Sequence, residues 1–92
     1  MNVTVRTFAE LRELLGKEVA LCLMEGETVR GLLRVLGERH AGFLPLVSGS
    51  GGELKSLVNI LRNGRNIKSL DDLESELAEG DVIAIFPPVA GG

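Results

Sequence analysis

An α+β fold, a mixed sheet packed on one main helix, is what the sequence predicts, and three observations predict it. Strand-like alternation opens and closes the chain in "NVTVRTF" and "DVIAIF". Between them, "VRGLLRVLGERH" carries a leucine stripe of helical period. In the second half, "RNGR" marks a tight hairpin. At 92 residues, 45% of them hydrophobic, the chain suits one compact domain, with a mostly aliphatic core because Phe8, Phe43 and Phe86 are its only aromatics.

The elements follow in order. Val3, Val5 and Thr7 alternate with Asn2, Thr4, Arg6 and Phe8, as in a half-buried strand. "AELRELLG" is a short helical stretch stopping near Gly16, and "KEVALCLM" is a second strand with Val19, Leu21 and Leu23 on one face. "EGET" is a turn leading to Thr28, the N-cap of the main helix, in which Val29, Leu32, Leu33 and Leu36 form one stripe. Gly31 and Gly37 each cost that helix about 1 kcal/mol against alanine. "SGSGGE" reads as a flexible loop, and "LVNILRNGRNI" as a strand, a turn at Asn63-Gly64 and a short return strand.

"SLDDLESELAEG" is expected to be a short second helix. Ser69 and Asp72 open it as a capping-box-like pair, Leu70, Leu73 and Leu77 share one side, and Gly80 stops it. "DVIAIF" is the last strand, ended by Pro87, which has no N–H for a sheet ladder. One helix stripe must cover one face of the sheet, and the handedness of crossovers leaves a roll of the β-grasp kind. Residues 1–86 form that domain and 87–92 an extended C-terminal Gly-Gly tail.

Several function classes are disfavoured. A formal charge of -3 and few aromatics argue against nucleic acid, so proteins are the expected partners. One cysteine, Cys22, and one histidine, His40, allow neither an internal disulfide nor the usual metal-ligand spacing, so no metal is expected. "MNVTVRTFAE" lacks the form of a signal peptide, and no apolar run approaches the roughly 20 residues of a membrane helix. A cytoplasmic protein without membrane attachment is the expectation.

Side-chain parity locates a candidate docking surface. If Ile83 and Ile85 face the helix, Val82, Ala84 and Phe86 face outward; the first strand then sends Phe8 outward, and "VNILR" puts Val58 and Ile60 inside with Leu61 outside. Ile67, beyond the turn, is expected to join this outer apolar patch. Scattered surface hydrophobes, or a covering loop, are the plainer explanation of the same residues.

The tail "PPVAGG" has the shape of a probe for a narrow site. Pro87-Pro88 holds the chain extended, Val89 offers one apolar anchor, and Ala90-Gly91-Gly92 has almost no side-chain volume. At about 3.3 Å per residue it reaches roughly 20 Å from the sheet. Taking Gly92 as the true end, its α-carboxylate is the only chemistry at the tip, and ATP can activate it as an acyl-adenylate for a sulfur or amine nucleophile.

The chain resembles the small subunit of molybdopterin synthase (MoaD-type) and its sulfur-carrier relatives, which are ubiquitin-like β-grasp proteins. The likeness runs through "VTVRTFAELRELLG", "EGETVRGLL" and "VNILRNGRNI", and above all "GDVIAIFPPVAGG". It implies that an E1-like adenylating enzyme, using ATP and magnesium, activates Gly92, which becomes a thiocarboxylate. In the synthase role the thiocarboxylate enters the large subunit and gives its sulfur to a pterin precursor of the molybdenum or tungsten cofactor. Gly91 is then the slim neighbour, Phe86, Pro87, Pro88, Val89 and Ala90 the inserted arm, and Phe8 and Phe86, with Leu61 or Ile67, the contact face. The chain binds no cofactor itself and is not catalytic alone. The rivals are a ubiquitin-like modifier joined to lysines through Gly92, a carrier for thiazole, amino-acid or tRNA thiolation, and an interaction domain whose tail is merely a strand end.

Other features have plainer readings. "GSGGELKS" lacks the glycine before Lys55-Ser56 that a phosphate loop needs. Cys22 sits in a strand pattern, and His40 near a helix end. The acids Asp71, Asp72, Glu74, Glu76, Glu79 and Asp81 read as a solvated helix face, with Glu76 and Glu79 placed to steer the tail toward a basic groove on a partner.

Overall fold

Alternation at each end of the chain becomes two neighbouring central strands. β1 (Asn2–Thr7) and β5 (Val82–Phe86) pair in parallel, with Val5 opposite Ile83 and Thr7 opposite Ile85. β2 (Glu18–Cys22) flanks β1 antiparallel, and β3 (Asn59–Arg62) flanks β5 antiparallel with β4 (Arg65–Asn66) outside it. The result is a five-stranded mixed sheet of order β2-β1-β5-β3-β4. This computed structural model describes residues 1–88; the tail residues Val89, Ala90, Gly91 and Gly92 lie outside the described residues.

The helical layer covers one face only. α2 (Val29–Arg39) buries Val29, Leu32, Leu33 and Leu36, the stripe its 3.6-residue period predicts, and Thr28 caps it by accepting the Gly31 N–H at 3.3 Å. From the sheet side Val3, Val5, Leu21, Ile60, Ile83 and Ile85 meet this stripe. Burying each such side chain is worth about 1.5–3 kcal/mol, which makes this contact the main source of stability. α1 (Glu10–Leu15) adds Leu11, and α3 (Phe43–Val47) adds the fully buried Phe43.

Both glycines of α2 have packing reasons. A Cβ on Gly37 would lie 2.6 Å from Leu44 Cγ, so its absence lets α3 close onto α2. A Cβ on Gly31 would meet the Glu27 carboxylate, which folds back over the first turn and accepts the Thr28 N–H at 3.0 Å. The intrinsic cost of glycine in a helix is thus offset by close approach.

Three expectations need correction. The second helix of "SLDDLESELAEG" does not form; two single 3₁₀ turns, Ile67–Ser69 and Asp72–Glu74, take its place. Its backbone is spent on neighbours instead: the Val29 N–H donates to the Ser75 carbonyl and the Leu77 N–H to the Glu27 carbonyl. Ser69 is not a cap, since its hydroxyl donates to the Asn66 carbonyl. Ile67 is 1% exposed and belongs to the core, because the chain leaves β4 after Asn66 and turns, with Asn66 Oδ1 accepting the Lys68 N–H, so strand parity stops there. "SGSGGE" is a loop, as expected, and is closed by Gly49 N–H to Glu53 carbonyl at 2.7 Å and Lys55 N–H to Val47 carbonyl at 2.8 Å. α3 had no counterpart in the sequence reading; Pro45 sits in its first turn, where a missing N–H costs nothing.

The Asn63-Gly64 hairpin turn forms as expected, with φ of 49° and 84°. Asn63 also binds β5: its Oδ1 accepts the Val82 N–H at 2.9 Å, and its Nδ2 donates to Asp81. Asp81 is buried and accepts from Arg62 Nε at 2.8 Å, Asn63 Nδ2 at 2.9 Å and the Ala78 N–H at 2.8 Å. Burial alone would raise its pKa, but these three donors and the Arg62 charge outweigh burial and lower it below the ordinary value. A lowered folded-state pKa stabilises the fold above the unfolded value of about 3.9 and ceases to do so as pH falls through the folded value. Asp81→Asn puts an NH₂ group against one of these donors and is expected to cost about 1–3 kcal/mol in urea unfolding at neutral pH. The gap between variant and parent should close below about pH 4, where the parent loses the same interaction.

Candidate functional site

Among the described residues no helix lies over the sheet face opposite α2, and parity decides what that face shows. Ladder partners share a face, so Thr4, Arg6, Val82, Ala84, Phe86 and Leu61 point away from the core. Val82 is exposed, whereas Ala84, Phe86, Leu61 and Phe8 are half-buried. Phe8 leaves β1 on this side and stacks on Phe86, ring centroids 4.1 Å apart and planes within 11°. The expected outer apolar patch therefore contains Phe8, Leu61 and Phe86 but not Ile67.

A cation completes the stack. The Arg12 guanidinium lies 5.2 Å from the Phe8 centroid and is tethered by Nε and Nη2, which donate to the Thr7 carbonyl at 3.1 and 3.0 Å. Thr7 is held in turn by its own hydroxyl, which donates to the Gly16 carbonyl. Arg12 was missed in the sequence; Phe8 precedes Ala9, the N-cap of α1, so the contact depends on the turn between β1 and α1 and no helical spacing announces it. Pro87 follows Phe86 and is buried, and Pro88 is half-buried, so the root of the tail packs on the domain. Val89, Ala90, Gly91 and Gly92, which carry the expected chemistry, are outside the described residues.

The remaining sequence candidates are dispersed. Cys22 is exposed at the end of edge strand β2, on the outer face opposite Asn2. His40 is the C-cap of α2, its N–H donating to the Leu36 carbonyl. The acids of 71–81 do not form a helix face: Glu74 binds Arg30 at 2.6 Å, Glu79 accepts the Asn2 N–H at 2.9 Å, and Asp81 binds Arg62. No helix among the described residues is long and apolar enough to cross a membrane.

A helix-backed mixed sheet whose central C-terminal strand ends in a clamped aromatic and a Pro-Pro step defines a ubiquitin-like β-grasp protein. The chain belongs to the ThiS family, whose sequence model matches residues 5–92, and so to the ubiquitin-like sulfur carriers and modifiers. It is 38% identical to small archaeal modifier protein 3 of Haloferax volcanii over 93 residues, covering 100% of both chains. Over 94 residues it is 31% identical to the sulfur carrier protein CysO of Mycobacterium tuberculosis, again covering 100% of both. The crystal structure of SAMP1 from Haloferax volcanii superposes with a TM-score of 0.87 at 34% identity, with 100% of each chain covered. A putative molybdopterin converting factor, subunit 1, from Pyrococcus furiosus superposes with a TM-score of 0.78 at 39% identity, covering 97% of this chain and 99% of that one. The resemblance read from the sequence holds at the level of this family.

If the Phe8–Phe86 stack acts as one energetic unit, a double-mutant cycle of Phe8→Ala and Phe86→Ala in urea unfolding will show a coupling of about 0.5–1.5 kcal/mol. Additive single costs would show instead that the rings are neighbours without mutual support.

Proposed function

We propose that this chain is a sulfur carrier that delivers its C-terminal glycine, Gly92, to the active sites of other enzymes. The observation that carries the reading is the tail root. Phe86, at the end of a strand paired on both sides, is clamped under Phe8 and runs into buried Pro87, beyond which the sequence is Pro-Val-Ala-Gly-Gly. A fixed root and a slim tip let a short arm enter a narrow site at little entropic cost.

On this reading the Gly92 carboxylate attacks the α-phosphate of ATP on an E1-like adenylating enzyme with magnesium, releasing pyrophosphate. A sulfur nucleophile then displaces AMP from the acyl-adenylate and leaves a thiocarboxylate. Gly91 gives clearance beside it, Pro87, Pro88, Val89 and Ala90 form the arm, and Phe8, Leu61 and Phe86 supply the apolar contact with the partner. The chain contributes the reacting carboxylate of Gly92, and the groups that catalyse its activation and transfer belong to the partners. The likeness to the Pyrococcus furiosus converting factor supports molybdopterin as the destination, with the synthase large subunit as second partner. The likeness to the Haloferax volcanii modifier proteins supports a second reading, in which a lysine amine takes the activated acyl group and an isopeptide bond forms.

Intact mass spectrometry tests both. The full chain is incubated with ATP, magnesium, sulfide and the E1-like enzyme of its own organism, beside a chain ending at Ala90. A gain equal to the difference between one sulfur and one oxygen atom, on the full chain alone, is the expected result. Adducts on lysines without that gain would move the protein to the modifier class. No change with a demonstrably active enzyme would overturn the carrier reading.

A further inference from the structure

The outer sheet face and the tail leave one constructed feature unused, on the opposite side of the molecule. Between α2, α3 and the 48–55 loop lies a groove of about 680 Å³. Its floor is apolar, made by Leu33, Leu44, Leu54 and Leu73, and Leu44 keeps 40% of its surface exposed there. The missing side chain of Gly37 seats Leu44 against α2. The far wall is the backbone of the glycine-rich loop, held up by the Ser48–Leu54 bridge and the Gly52 N–H donating to the Gly49 carbonyl at 3.0 Å.

Three cations stand on its rim. Arg30, Arg34 and Lys55 line the groove, while Glu53 and Asp72 border the hollow that continues from it past Lys55, in a chain whose formal charge is -3. Glu74 binds Arg30 at 2.6 Å, and Glu27 and Glu38 lie 3.7 and 3.9 Å from Arg34, all outside the lining; the side chains of Arg30 and Arg34 remain 58% and 63% exposed. An apolar floor bordered by cations matches a segment with apolar residues on one face and carboxylates beside them.

We propose that this groove docks an acidic amphipathic segment of a protein partner. It lies on the helical layer, whereas Phe8, Phe86 and the tail root lie on the bare face of the sheet, so both can be occupied together. The inference is independent of what Gly92 carries.

The test is an amide NMR titration of the full chain with a synthetic peptide of repeating Glu-Leu-Leu-Glu units, and with its counterpart bearing Lys in place of Glu. Shifts should centre on Leu33, Leu44, Leu54 and the 49–52 backbone with the acidic peptide and be absent with the basic one. The exposed-site double variant Arg34→Glu, Lys55→Glu should weaken binding by about tenfold or more, while Phe86→Ala leaves it unchanged. Absence of shifts, equal binding of the two peptides, or shifts centred on Phe8 and Phe86 would each overturn the proposal. So would groove shifts on concentrating the protein alone, which would assign the groove to a second copy of this chain.

Discussion

The parallel pairing of β1 with β5 is the constraint on which the rest depends. It brings the first and last strands of the domain side by side at the centre of the sheet, with β3 closing the other side of β5. Ile83 and Ile85 can then be fully buried under α2 while Phe86 is held on the opposite face. Because β5 is hydrogen-bonded along both edges, its end cannot shift without breaking two ladders. The strand also arrives last in sequence and pairs with the most distant one, so the core closes only after a costly non-local contact.

That placement gives the tail a fixed point of departure. Asp81 and Asn63 fasten the entry of β5 to the β3–β4 turn, and the Arg12–Phe8–Phe86 stack fastens its exit. Between these two clamps the strand has no freedom to slide, and a one-residue slip would turn Phe86 into the core and Ile85 out of it. A chain that must present one terminus in a defined direction gains more from such a central, doubly paired strand than from a longer or more polar edge strand.

Much of this was legible where one residue type faces one strong local rule. Alternation in β1 and β5, the leucine stripe of α2 and the Asn-Gly turn were read in the sequence and stand in the structure, and parity alone placed Phe8, Leu61 and Phe86 on the bare face. The reading of Val89, Ala90, Gly91 and Gly92 falls outside the described residues. Misreadings fall where the backbone has two comparable options. The leucines at 70, 73 and 77 suit a helix, but Asp72 takes φ of 53° and residues 75–77 pair with 27–29, a tertiary bond no local pattern announces. Ile67 was assigned by extending strand parity one step past Asn66, whose side chain starts a turn.

The two glycines of α2 illustrate the same limit from the other side. Judged by propensity they are defects; in the structure Gly31 admits the Glu27 carboxylate and Gly37 admits Leu44. The second accommodation is also what opens the basic groove, since a side chain at 37 would displace Leu44, which forms part of its floor. A helix built only for stability would carry alanine at both positions. Gly37 is therefore understandable as a feature of the surface that α2 and α3 make together, and Gly31 as room for the carboxylate that accepts a backbone N–H at the start of the helix.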